Sequence, residues 1–263
     1  ISVYYKDSPE LLSDALDSVI KQDLPVNINS RIYVAVDGEI SNSLQMVLDC
    51  KSSSIYRIVY IKENKGLANA LNELISILND EYFVFRMDSD DWSFPNRYLE
   101  QLKYFQLNPT VDILGTEIIE YDSVSGATRR IEFAKDHLDA YNKISFRTPV
   151  AHPTVCFRRR VFDVVGGYPI CGTNEDVALW FKCIKLGFIF GNVPIPLLKF
   201  TMGSEFWHRR GFDKAYSEFI CYAKGIWSLN KCSWKYIFPL FRLLLRLMPT
   251  FFAKLIYRSF IRG

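Results

Sequence analysis

Residues Phe83-Val84-Phe85-Arg86-Met87-Asp88-Ser89-Asp90-Asp91 read as an apolar strand that runs straight into three carboxylates. In open α/β sheets, ligands bind outside the carboxyl ends of the strands, the position these acids take. Carboxylates at n and n+2 beside such a crevice suit a hard divalent cation that neutralises a diphosphate. The plainer reading is a solvated acidic turn capping the next helix. Ser93 and Pro95 supply an expected N-cap and first helical residue, so capping does not require all three acids. An EF-hand loop is excluded, because Trp92 fills the fifth position and no glycine follows.

The chain around this stretch alternates strands and helices. Ile1–Tyr5 predicts a short strand, and Ser8-Pro9 opens a helix to Gln22 with Leu12, Ala15, Leu16, Val19 and Ile20 on one face. Arg31–Asp37 is apolar almost throughout, as a strand covered on both faces should be. A helix near Ser43–Cys50, a strand Tyr56–Ile61, a helix Leu67–Leu78 and the strand Tyr82–Met87 follow. Beyond them come a helix Pro95–Leu107, a strand Val111–Tyr121, a hairpin turn at Asp122–Gly126 and a helix Asn174–Leu186. The order predicts βαβ units, hence an α/β fold with a mostly parallel central sheet and helices on both faces.

Composition narrows the function classes. With 263 residues, 49% of them hydrophobic and 23% charged, the chain is not disordered, collagen-like or a coiled coil. Its six cysteines form no C-x-x-C pair, and three histidines cannot complete a zinc finger. Scattered cysteines read as reduced, and Ile1 opens on a strand without a signal-peptide pattern, so a cytosolic setting is expected. The net charge of +3 is unevenly spread. Glu218 is the last acid, and eight bases follow it, from Lys224 to Arg262. That asymmetry argues against a nucleic-acid binder with a distributed basic face and points to one local anionic partner.

The ordered set of motifs resembles the inverting family-2 glycosyltransferases of the GT-A fold over about residues 1–200. Its elements are Asp37-Gly38, Asn64-x-Gly66 with Asn72, Asp88-x-Asp90-Asp91 and Glu175-Asp176. Met87–Asp91, His152-Pro153-Thr154 and Asn174-Glu175-Asp176-x-x-x-Trp180 look closer still to bacterial enzymes that assemble O-antigen and exopolysaccharide repeat units. The resemblance implies a nucleotide-sugar half (1–121), an acceptor half (122–203) and a C-terminal segment (204–263). It implies a UDP-sugar donor, an undecaprenyl-diphosphate-linked sugar acceptor, and Mn²⁺ or Mg²⁺. Asp37 would accept from the uracil edge, with Ser2, Val3 and Tyr4 flanking the base. Asn64, Gly66, Asn72, Asp88, Ser89 and Asp90 would complete the donor site. Asp88 and Asp90, with His208, would hold the cation, and Asp91 would face the donor sugar. Asp176 would be the catalytic base, with Glu175 beside it. His152, Trp180, Arg209 and Arg210 would contact the acceptor.

Each residue also has a plainer reading. Asp37-Gly38 makes an ordinary turn, and Val3 and Tyr4 an ordinary core strand. Asn64 and Gly66 suit any loop-to-helix junction. Glu175 and Asp176 are favourably placed acids at a helix N-terminus. Trp180, at helical spacing, reads as core more readily than as a sugar platform. Trp207–Gly211 is an aromatic-basic loop for a diphosphate, or simply a solvated turn.

The segment Trp234–Arg262 interleaves aromatic and aliphatic residues with bases at 242, 246, 254, 258 and 262. Its uncharged runs fall short of the ~20 residues of a membrane span. Pro239 and Pro249 divide it into short helices expected in the interface of an anionic leaflet, on the cytoplasmic face of the inner membrane. The alternative is a basic helix docked on the protein's own body or on a second subunit. The whole predicts a peripheral hexosyltransferase. Its rivals are a silent membrane-bound glycan-binding scaffold and a sugar-nucleotide pyrophosphorylase. Lys6-Asp7-Ser8-Pro9 is not the glycine-rich basic loop the latter requires, and no G-x-G-x-x-G loop serves a dinucleotide.

Overall fold

A computed structural model describes residues 1–172, 174–203 and 212–247. The strands are β1 (Ser2–Val3), β2 (Tyr33–Asp37), β3 (Arg57–Ile61), β4 (Phe83–Phe85), β5 (Trp92–Ser93), β6 (Ile113–Asp122), β7 (Thr128–Ile131), β8 (Cys156–Arg158) and β9 (Phe190–Met202). The helices are α1 (Pro9–Ile20), α2 (Asn42–Cys50), α3 (Leu67–Ser76), α4 (Arg97–Leu107), α5 (His137–Lys143), α6 (Arg160–Val165), α7 (Glu175–Lys185), α8 (Phe212–Leu229) and α9 (Ile237–Leu247).

Helix α1 starts where Ser8 caps it: the Ser8 hydroxyl accepts from the Leu11 amide at 3.3 Å, and Pro9 takes the first position. Its apolar face (Leu12, Ala15, Leu16, Val19) is buried against Val34 and Val36 of β2 in one core. A second core gathers Ile113, Phe157, Trp180, Phe190 and Tyr222 around α7.

The α/β expectation holds, but the strand pairing is mixed rather than mostly parallel. Strands β1, β2 and β3 run parallel in that order, and β6 pairs with β9 in parallel. The pairs β4–β8, β6–β8, β5–β9 and β6–β7 are antiparallel. The Asp122–Gly126 turn folds β7 back on β6 as a hairpin, whereas β4–β8, β6–β8 and β5–β9 pair antiparallel across long connections. Ser93 also departs from its expected place as helix N-cap. It lies in β5, paired with Leu198, and α4 begins later, at Arg97.

Helix α8 joins the second core through Tyr222 and Ile226, and Gly225 lets it press against the Phe181 ring. Helix α9 then packs on α8. Arg242 turns inward, donating to Glu218 at 3.0 Å with its guanidinium over the Tyr222 ring. Trp234, Ile237, Leu240, Phe241 and Leu244 are exposed. No helix among the described residues is long and apolar enough to cross a membrane.

Candidate active site

The site forms where β4 ends. Strand β4 is held by β8, and the ladder continues with Arg86 N–H donating to the Val155 carbonyl at 2.8 Å. The chain then turns so that Asp88, Asp90 and Asp91 each bring a carboxylate oxygen within 4.8 Å of the others. Asp91 is buried, and its Oδ1 accepts from the Thr201 amide of β9 at 3.0 Å. Its Oδ2 is buried without a hydrogen-bond partner among the described residues. An orphaned carboxylate oxygen facing two other carboxylates is the donor set of a hard divalent cation. Burial first, then the charges of Asp88 and Asp7, pushes the Asp90 carboxyl up to about 6. Burial and its two acidic neighbours also hold Asp91 well above the ordinary carboxylate range. A bound cation would relieve both.

Beneath this cluster lies Arg86, 6% exposed. Its guanidinium grips both Asp88 oxygens, Nη1 on Oδ2 and Nη2 on Oδ1, in a two-pronged ion pair. Its charge is felt as far as His152, Glu175 and Asp176, each of which it biases. Asp7 ties the end of β1 to the same turn: its Oδ2 accepts from Ser89 Oγ at 2.8 Å and from the Tyr4 amide at 3.1 Å.

The residues expected at the donor site interlock. Asp37 is buried, and its two oxygens accept from the Lys65 and Gly66 amides, each at 2.8 Å. Asn64 returns a hydrogen bond to the Asp37 carbonyl at 3.1 Å. Gly38 permits this approach: at φ +85° a Cβ there would stand 2.8 Å from the Asn64 nitrogen. Val3 is wholly buried, so only its backbone and the half-buried Tyr4 are left for a base. Asn72 does not reach toward the Asp-rich turn. Its amide donates to the Tyr168 carbonyl and accepts from the Tyr168 amide.

Helix α7 opens with Glu175 and Asp176, both half-buried, after Asn174 in the left-handed region at φ 90°. Burial raises both carboxyls above their ordinary range, although Arg86 opposes the shift. A raised carboxylate is the stronger base. His152 Nε2 lies 2.9 Å from the Tyr168 hydroxyl, and burial, then Arg86, holds its imidazole well below the usual value. It is a neutral group here.

Trp180 is corrected by the structure. Its side chain is fully buried, stacked on Phe157 at 5.8 Å and edge-on to His152 at 5.9 Å, so it has no face to offer a sugar. Its helical spacing with Val177 and Ile184 placed it inside. His208, Arg209 and Arg210 lie outside the described residues. Arg86, Asp7 and Tyr168 join the site without a motif to announce them. An arginine closing an apolar strand is the one sequence signal that singles out Arg86.

The family model for glycosyl transferase family 2 matches residues 1–166. The chain is 30% identical, over its whole length and 98% of the relative, to the amylovoran biosynthesis glycosyltransferase AmsE of Erwinia amylovora. It is also 30% identical, over its whole length and 95% of the relative, to the UDP-Gal:alpha-D-GlcNAc-diphosphoundecaprenol beta-1,3-galactosyltransferase of Escherichia coli. Residues 1–349 of S. aureus TarS, solved with UDP-GlcNAc, share the fold: the TM-score is 0.65 at 17% identity, covering 93% of this chain and 71% of that one. The mixed sheet with flanking helices is thus the GT-A arrangement, and the chain belongs to glycosyl transferase family 2.

Proposed function

We propose that this glycosyltransferase moves a hexose, Glc, Gal or an N-acetyl form, from a UDP-sugar to a lipid-diphosphate-linked sugar, with inversion at C1. The observation that carries the reading is one buried guanidinium, Arg86, that grips Asp88 of the Asp-rich turn and whose charge also acts on Glu175 and Asp176. Asp88, Asp90 and Asp91 come from the nucleotide-sugar half, and Glu175 and Asp176 from the acceptor half. The names of the E. coli and Erwinia relatives support a UDP-linked donor, an acceptor on diphosphoundecaprenol and exopolysaccharide assembly.

Asp90 and Asp91, with Asp88 beside them, would hold Mn²⁺ or Mg²⁺. Such an ion supplies charge stabilisation for the departing diphosphate. Asp37, with the Lys65 and Gly66 amides locked to it, shapes the nucleotide pocket, and Asp7 holds the β1 loop against the Asp-rich turn. Asp176 takes the proton of the acceptor hydroxyl as that oxygen attacks C1 from the face opposite UDP. Glu175 and neutral His152 border the acceptor, while Tyr168 fixes the His152 ring.

The C-terminal segment supports docking on an anionic membrane surface, at the cytoplasmic face of the inner membrane. Exposed Trp234, Ile237, Phe241 and Leu244 recur at helical spacing beside Lys231 and Lys235, the pattern of an interfacial helix. A screen of UDP-sugars against synthetic GlcNAc- and GalNAc-diphosphate-lipids tests the reading. One donor and acceptor pair should release UDP and extend the lipid. Release of UDP without a glycosylated lipid would contradict it.

A further inference from the structure

The Asp88 carboxylate is already taken. Both of its oxygens are gripped by the Arg86 guanidinium, and Arg86 is buried beneath the cluster where solvent cannot replace it. The Arg86 Nε is itself buried without a partner among the described residues, so no second acid competes for this guanidinium there. The Arg86 carbonyl is held from below by Nη2 of the fully buried Arg97 at 2.8 Å. Arg97 is anchored in turn by Gln101 at 3.0 Å. Residue 86 is therefore braced at its backbone and committed at its side chain.

Resting on the metal-assisted reading above, we propose that Arg86 is a resident counter-ion that withholds Asp88 from the divalent cation, so that the cation binds firmly only together with the nucleotide diphosphate. A carboxylate held by both oxygens is a poor metal ligand until one oxygen is released. A fixed positive charge a few ångströms away also repels the ion, strongly so where water is excluded. Asp90 and Asp91 alone then bind the cation weakly. The diphosphate adds oxygen ligands and negative charge, and these overcome the repulsion. Arg86 acts through Asp88, which makes it a positioning residue; the consequence is an ordered site in which metal enters with donor.

The test is Mn²⁺ titration of the full chain, followed by the electron paramagnetic resonance of free Mn²⁺, with and without UDP. Wild type should bind Mn²⁺ weakly alone and much more tightly with UDP. Arg86→Met should bind Mn²⁺ alone at least about tenfold more tightly, because one nearby positive charge is gone and Asp88 is free. The gain from UDP should shrink by a similar factor. Arg86→Lys keeps the charge but lacks the fork that grips both oxygens. It should fall between the two, and it decides the matter if Arg86→Met does not fold. A merely structural arginine would loosen Mn²⁺ binding on removal. Folded variants that bind Mn²⁺ alone no more tightly than wild type would overturn the proposal. A wild type that binds no Mn²⁺ even with UDP would instead remove the metal reading on which it rests.

Discussion

Asn72 and Tyr168 hold each other across the molecule by two hydrogen bonds: the Asn72 amide donates to the Tyr168 carbonyl at 2.9 Å, and its oxygen accepts from the Tyr168 amide at 2.7 Å. Gly167 makes the approach possible, since at φ +121° a Cβ there would sit 2.4 Å from Asn72 Oδ1. The clamp fastens α3 to the loop whose Tyr168 hydroxyl meets His152. Asn72→Ala leaves two backbone groups unmet and should cost ~1–3 kcal/mol of stability. Turnover should drop while UDP affinity stays nearly unchanged. Urea denaturation and calorimetric UDP titration check both parts.

Asp176→Asn keeps size and shape but cannot accept a proton. A general base contributes roughly 10²–10⁴-fold, and kcat should fall by that much with UDP-sugar binding intact. Since burial raises the Asp176 carboxyl, the acid limb of the wild-type pH–rate profile should lie above the ordinary aspartate value of about 3.9. Equal loss of donor affinity in the variant would make Asp176 a donor residue.

Asp90 links pH, metal and stability. Its folded-state value of about 6 lies above the unfolded one, so the stability it contributes is complete below about 4 and is lost as pH rises through 6. The metal-free protein should lose melting temperature over that window. Added Mn²⁺ with UDP should restore it above pH 6 and do little at pH 5. Asp90→Asn should flatten both dependences in a thermal-shift series.

The C-terminal segment should be removable only beyond α8, because Tyr222 and Ile226 belong to the core. Truncation after Asn230 should leave a folded protein that still binds UDP. Its activity should fall mainly on long-chain lipid acceptors in membranes. Co-sedimentation of the full chain with liposomes should depend on anionic lipid and weaken with salt, since screening acts over about 8 Å at physiological ionic strength. Unchanged binding to neutral liposomes, or misfolding on truncation, would favour packing of this segment on the body alone.

The parallel β1–β3 unit was legible because its strands alternate with α1 and α2, which Ser8 and Ser41 cap, and because β2 is almost wholly apolar. The β6–β7 hairpin was legible from its Asp122–Gly126 turn, but the long-range antiparallel pairs were not, since short strands such as β5 and β8 carry no period of their own. The Asp-rich turn was legible because acids rarely end an apolar strand without a reason. Asn72 and Trp180 show the limit of motif reading: one amide is spent on a backbone 96 residues away, and one indole fills the core. Tertiary partners decide both. Arg86 stayed hidden because nothing in a sequence tells which carboxylate a lone arginine will grip.

A single inverting displacement with Asp176 as the base fixes the anomeric configuration of the product, which NMR reads from a UDP-α-sugar and a synthetic lipid-diphosphate acceptor. A β-linked sugar, formed by wild type with Mn²⁺ and lost in Asp176→Asn, is the predicted result. An α-linked product, or a β-linked product formed at full rate by Asp176→Asn, would contradict it.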